Sequence, residues 1–292
     1  MIRLKFSVSL KYEVVDFASD FIFNIHAART ACQTVVDEAL HIDQPVVPLM
    51  YIDPASGSRF MRLKAEPGVL AVRYDATVDI AHHMESTARI AEVPIAQLPP
   101  EVLPYLYPSR YCQSDRLHSF ATREFGHLRP GYWRVQMIVD WVRHRTRFSS
   151  GTSNSSTSAV DTLIEQVGVC RDFAHLMIAL CRAINIPARF VTGIDYGADP
   201  ALGPTDFHAY VEAYLGNRWY LFEPSGVSPP MGLVRLGTGR DAADVSFATL
   251  FGTIKSYQPL IAIEAIDDPA GGYTLPRFCQ EAISSHGDLV AA

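Results

Sequence analysis

The chain has 292 residues, 48% apolar and 19% charged, with a net charge of −6. That balance excludes a disordered chain, and without a run of Lys or Arg it leaves no electrostatic footprint for nucleic acid or a membrane surface. Two domains, each with its own core, fit the length, and no uninterrupted apolar run reaches the span of a bilayer.

The amino terminus alternates strictly. Ile2, Leu4, Phe6, Val8, Leu10, Tyr12 and Val14 fall on one face, with Arg3, Lys5, Ser7, Ser9, Lys11 and Glu13 on the other. This predicts a half-buried strand and argues against a signal peptide, which needs an apolar h-region. Residues 68–80, GVLAVRYDATVDI, alternate in the same way, and FIFNIHA and RFMRLKA are shorter strand candidates separated by the turn cluster YIDPASGS. Repeated alternation with turn signals predicts an all-β, sandwich-like domain over 1–98. LPPEVLPYLYPSRY, with four prolines, marks a crossing segment over 99–114.

From about residue 115 the period changes. Trp133, Met137, Ile138, Trp141 and Val142 recur at helical spacing, and the serine-rich stretch 149–158 predicts a mobile loop. A helix beginning near Ala159 leads into GVCRDFAHLMIALCRAINIPARF. There Cys170, Phe173, Ala174, Met177, Ile178, Cys181 and Ile184 form one helical face, which Pro187 ends after Asn185. Four strand candidates follow: ARFVTGI, FHAYVEAYL, RWYLFE and LIAIEAI. Helices followed by strands predict an α+β domain over 115–268, with a tail at 269–292. The five cysteines are scattered and never spaced as CxxC. This argues against a disulfide framework or structural zinc and favours a reducing cytoplasm.

Cys170 stands at the first position of its helix, where the positive end of the peptide dipoles favours a thiolate. A nucleophilic thiolate needs a base and a group that orients the base. Gly216-Asn217 joins two alternating strands and predicts a two-residue hairpin of the type II′ kind. That turn sets Leu215 opposite Arg218, Ala213 opposite Tyr220 and Tyr210 opposite Glu223. His208 then becomes the diagonal neighbour of Glu223, about 7–8 Å away at the backbone. Asp206, two residues before His208 on the same face, is a rival orienter. Tyr210 and Trp219 share that face and are candidates to line an acyl pocket. Oxyanion donors are the backbone N–H of Cys170 and, as a weaker candidate, the Gln166 amide.

GVCRDFAHL, DFHAYVEAYL and WYLFEPSG resemble the three signature blocks of the transglutaminase-like superfamily, most closely its bacterial cysteine-protease-like branch. The alternating amino-terminal region with LYPSRY, and the later GRDAADVSFATLFG, are similar to the same branch. The resemblance reaches to about residue 268. It implies a papain-like α+β core with Cys170 as nucleophile and His208 as base. Where the family usually has Asp, this chain has Glu223, the same acceptor one methylene longer.

Other features are discounted. Adjacent strand residues His82 and His83 point to opposite faces and cannot chelate together, His175 points away from Cys170, and Cys181 lies on the buried stripe. GTGRDAAD lacks the spacing and lysine of a phosphate loop; it is instead a candidate wall over the cleft, with Arg240 and Asp241 as polar contacts. No cofactor, metal or calcium loop is read. The expectation is a cysteine enzyme acting on peptide or protein amide bonds through a thioester. Hydrolysis is preferred to amine transfer, since one β and one catalytic domain supply no extra docking module. An idle binding module retaining the fold is the rival.

Overall fold

The computed structural model describes residues 1–198 and 205–285; the end of the expected tail, 286–292, lies outside the described residues. Strands β1 (Ile2–Val14), β2 (Ser19–Phe23), β3 (Gln33–Ile42), β4 (Leu49–Ile52), β5 (Arg59–Ala65), β6 (Gly68–Ile80) and the short β7 (His83–Glu85) come first. Four helices follow, interrupted by two short strands: α1 (Ser114–Phe125), α2 (Tyr132–Arg145), β8 (Arg147–Phe148), α3 (Ala159–Glu165), β9 (Val167–Gly168) and α4 (Cys170–Ala183). The chain continues with β10 (Ala188–Asp195), β11 (Phe207–Leu215), β12 (Arg218–Phe222), β13 (Leu233–Gly239), β14 (Ala248–Phe251), β15 (Ile254–Ser256), β16 (Leu260–Ile266) and β17 (Ala282–Ser284).

Two antiparallel sheets enclose the amino-terminal core. One runs β15-β1-β6-β3, with β16 also on β1; the other runs β14-β2-β5-β4. The alternating apolar residues of β1 and β6 are buried against Phe21, Phe23, Met61 and Leu63. Tyr12 meets Phe21 edge to face at 5.4 Å between ring centroids, a contact that adds to the area both rings bury. The return strands were not legible in their pairing. LIAIEAI pairs with β1, and Ala248–Phe251 pairs with β2, so residues 248–266 pack on the amino-terminal sheets.

The third sheet runs β13-β10-β11-β12-β17-β7 and positions the candidate site. Every residue of α4 from Asp172 to Ala183 is buried, and the helix packs on Ala209, Val211 and Ala213 of β11 with the other helices around it. Each Phe, Leu, Ile or Met so buried contributes about 1.5–3 kcal/mol. The helix stops at Ala183, two residues earlier than the apolar face suggests, and Asn185 turns to φ 66 before Pro187. The proline segment is a 3-10 helix, Pro100–Leu106, whose Val102 packs with Leu98, Tyr214 and Trp219. We propose a division into an amino-terminal β unit near 1–98, a crossing segment near 99–114 and a catalytic unit beyond it, with 248–266 returning to the first unit.

Beneath the third sheet lies a buried charge assembly. Glu212 accepts from Arg189 Nε at 2.7 Å and from Arg235, and all three side chains are at most 4% exposed. The Arg189 guanidinium also lies 4.0 Å from the Trp219 ring centroid. Gln33 of β3 clamps the backbone of Arg235 from both sides, donating to its carbonyl at 2.9 Å and accepting from its N–H at 2.9 Å. Replacing one member of such a group strands the others without solvent. Glu212→Gln is therefore expected to cost about 3–5 kcal/mol, seen as a lower urea midpoint by circular dichroism; an unchanged midpoint would refute the role of this cluster.

Candidate active site

The site is built where α4 begins and β11 begins. Val169, just before the helix, is extended at φ −108 and ψ 176, and its N–H donates to Asp172 Oδ2 at 2.9 Å. Asp172 therefore caps the first turn and fixes the entry of Cys170, a common arrangement for a carboxylate at the third helical position. Its other oxygen accepts from Ser153 Oγ at 2.9 Å. Arg171 donates to the Asn154 carbonyl at 2.8 Å and to Ser153 Oγ, while Tyr111 Oη donates to the Ser155 carbonyl at 2.8 Å. The serine-rich segment, expected as a mobile loop, is thus tied down by the two residues that follow the cysteine.

Cys170 is half-buried, with Sγ 4.0 Å from the Phe207 carbonyl oxygen. The hairpin puts His208 in reach. Leu215 pairs with Arg218, Ala213 with Tyr220 and Val211 with Phe222, the register read from the turn. Gly216 and Asn217 both have positive φ, 53 and 65, so the turn is of the I′ kind and not II′. Either type leaves two residues in the loop, so the register is unaffected. His208 Nε2 lies 3.0 Å from Glu223 Oε1, which leaves the other ring nitrogen available to the Cys170 side of the cleft.

Glu223 is itself held. Its carboxylate accepts from Ser225 N–H at 3.1 Å, Val227 N–H at 3.1 Å, Ser225 Oγ and Gly226 N–H. Its backbone carbonyl accepts from Arg143 at 2.7 Å. Sequence reasoning did not read this cradle, although Pro-Ser-Gly after the glutamate is a turn signal. Asp206 is exposed at the cleft rim and accepts from Phe207 N–H at 2.7 Å, so it serves as the residue starting the strand.

Burial opposes a charged His208 most strongly. Interaction with neighbouring Cys170, then the Glu223 hydrogen bond and the Asp195 charge, nevertheless hold its proton well above the ordinary imidazole range. Asp195, at the end of β10, was not singled out from the sequence. It is 4% exposed and faces the same cleft. The cleft, about 800 Å³, is walled by Phe207 and Phe247, stacked at 4.3 Å, together with Val245 and Ala242.

Several expected contributors stand elsewhere. Tyr210 sits behind His208, ring centroids 4.9 Å apart, with its hydroxyl on Ser228, and Trp219 is sealed under the proline segment, so neither lines the cleft. Gln166 is exposed at the end of α3, its amide oxygen 3.2 Å from the Arg145 guanidinium when oriented to satisfy both. The GRDAAD segment does wall the cleft, but through Ala242 and Val245. Arg240 is paired with Asp244, and buried Asp241 accepts from Tyr111 N–H at 2.9 Å. His175 accepts from Ala242 N–H at 3.2 Å and stacks on Tyr111; burial pushes it down to about 3. Among the described residues no group of three or more His, Cys, Asp or Glu could hold a metal, and no helix is long and apolar enough to cross a membrane.

A thiol at a helix start, an imidazole beside it and a carboxylate on the ring define a papain-like arrangement. Comparison with known proteins agrees with it. Residues 119–224 match the transglutaminase-like superfamily core, and residues 2–101 match the bacterial transglutaminase amino-terminal domain. A Cytophaga hutchinsonii protein described as a "putative cysteine protease" is 39% identical, with a TM-score of 0.90 and 97% of each chain covered. An uncharacterized protein of Mycobacterium leprae is 33% identical over 116 residues, and one of Mycobacterium tuberculosis 28% identical over 143. Those matches span 42% and 46% of the mycobacterial proteins, less than half their length. The chain belongs to the transglutaminase-like superfamily, and that membership supports cysteine-dependent catalysis.

Two measurements follow from this geometry. Cys112 and Cys181 are fully buried and pushed up to about 12 by that burial, whereas Cys170 opens on the cleft beside His208. Limiting iodoacetamide on the folded protein should modify Cys170 well before either; comparable labelling of Cys181 would overturn the assignment. The second concerns pH. A histidine held protonated in the fold contributes stability that is fully present below its unfolded value, about 6.5, and lost as pH rises through the folded value. The stability gap between wild type and His208→Gln should therefore narrow as pH rises above neutrality; a gap that widens would contradict the raised value.

Proposed function

We propose that this protein hydrolyses amide bonds of peptides or proteins through a thioester at Cys170. The observation that supports the reading is the 3.0 Å contact of His208 with the cradled Glu223 carboxylate, in the cleft that Cys170 and His208 both line. His208 takes the thiol proton, and the thiolate attacks the acyl carbon. The first-turn N–H of Cys170, which has no intrahelical acceptor, is placed to stabilise the oxyanion. His208 then gives its proton to the departing amine. In the second half it removes a proton from water, which attacks the thioester and releases the free acid. Glu223 holds the ring tautomer and favours the charged imidazole.

Hydrolysis is preferred to amine transfer because the 39% identical neighbour is described as a protease. Five free thiols support a reducing, cytoplasmic setting. The test pairs an acyl donor with excess primary amine and quantifies free acid against amide product. Predominant acid supports the hydrolase, and predominant amide at physiological amine concentration makes the enzyme a transferase. Cys170→Ala must remove both products; a wild type that never acylates would point to an idle binding module. Glu223→Gln should keep the fold and lower kcat by roughly 10²–10⁴-fold with little change in binding. Asp206→Asn should stay within a few-fold of wild type, and a severe loss there alone would transfer the orienting role to Asp206.

A further inference from the structure

Asp195 ends β10 with its carboxylate almost fully buried, and its Oδ2 has no hydrogen-bond partner. Gly193 pairs with His208 across the β10–β11 ladder, so Asp195, two residues on, lies on the face of His208 and is its diagonal neighbour. Both line the cleft that holds Cys170. The cations of this cleft are bonded elsewhere: Arg171 donates to the Asn154 carbonyl, and His208, whose charged form Asp195 favours, gives Nε2 to Glu223. Among the described residues no Lys or Arg pairs with Asp195. A buried carboxylate with an idle oxygen is costly to maintain, and it becomes favourable when a ligand brings the missing donor and charge.

We infer that Asp195 is a specificity residue that binds a primary ammonium group of the substrate. The inference rests on reading this cleft as the substrate cleft. A diagonal pair is separated by about 7–8 Å, and an extended peptide advances about 3.3–3.6 Å per residue. His208 is the base that serves Cys170, so an ammonium held by Asp195 is expected within a few residues of the acyl carbon. The free amino terminus of a short aminoacyl or dipeptidyl group meets that distance, and so does a lysine side chain folded back from the acyl residue.

Binding can be measured without turnover, so failure of this inference and failure of amide hydrolysis are separate results. Cys170→Ala protein is titrated calorimetrically with alanyl-alaninamide, N-acetyl-alanyl-alaninamide and N-acetyl-lysinamide. At least one of the two ammonium ligands is expected to bind about tenfold or more tighter than the acetylated dipeptide, and which one does so identifies the source of the charge. Adding Asp195→Asn, which keeps shape and removes charge, should bring all three within about twofold. Equal affinities in the Asp195 protein, no binding of any ligand, or a preference that survives Asp195→Asn each overturn the proposal. The first comparison needs no change at Asp195, so it decides even if that variant folds poorly.

Discussion

Two residues, Gly216 and Asn217, fix the register on which the cleft depends. Both occupy the left-handed region, which suits the right-handed twist of the strands they join, and the ladder runs from Leu215–Arg218 to Val211–Phe222 without a bulge. Because side chains alternate with period two, a slip of one residue would carry His208 to the opposite face and break its 3.0 Å contact with Glu223. The register is over-determined by packing. Tyr214 lies opposite Trp219 with ring centroids 5.2 Å apart, and Trp219 in turn carries the Arg189 guanidinium. Glycine at 193, opposite His208, serves the same end from the next strand: a Cβ there would meet Leu233 and the Val234 carbonyl at 2.3 Å, so β10 and β13 could not approach.

The second constraint is the start of α4. Asp172 spends one carboxylate oxygen on the Val169 N–H and the other on Ser153, so helix entry and serine-rich wall are fixed by one side chain. Arg171 adds its bonds to the same wall. The two residues after the cysteine therefore set both where the thiol points and what stands beside it. This is the usual division of labour in a preorganised site: reacting groups held by neighbours that never touch substrate.

What could be read from the sequence is what a strict period carries. The strands over 2–14, 59–65, 68–80, 207–215 and 260–266 alternate cleanly, and each forms where the pattern puts it. β3 was illegible for a physical reason. A bulge between Val35 and Asp37 shifts its inward set from Gln33 and Val35 to Glu38, Leu40 and Ile42, and the inward Glu38 is satisfied by Arg59 and Tyr74. A period broken by a bulge and carrying an inward acid does not look like a strand. Composition misled at 149–158, because a serine-rich stretch reads as mobile when the arginine and carboxylate that tie it lie 17 to 19 residues away. Face-sharing left Tyr210 and Trp219 between pocket lining and packing, and packing holds: a face has length, and the cleft occupies only the end where His208 stands.

Asp195 escaped for the same reason that makes it informative. Its place depends on the β10–β11 pairing, which joins segments separated by a long connection and has no turn to announce its register. One sheet thus carries two buried acids treated in opposite ways. Glu212 is paired with two buried arginines, so its own charge is met within the protein. Asp195 keeps an oxygen idle at the wall of a cleft that also holds a thiol and an imidazole. A fold that meets the charge of Glu212 with two arginines had the means to do the same for Asp195, with Arg171 on the same cleft. Local rules are broken where function asks for it, and a carboxylate that favours the charged His208 yet keeps an oxygen without a hydrogen-bond donor leaves a donor position for the substrate to fill.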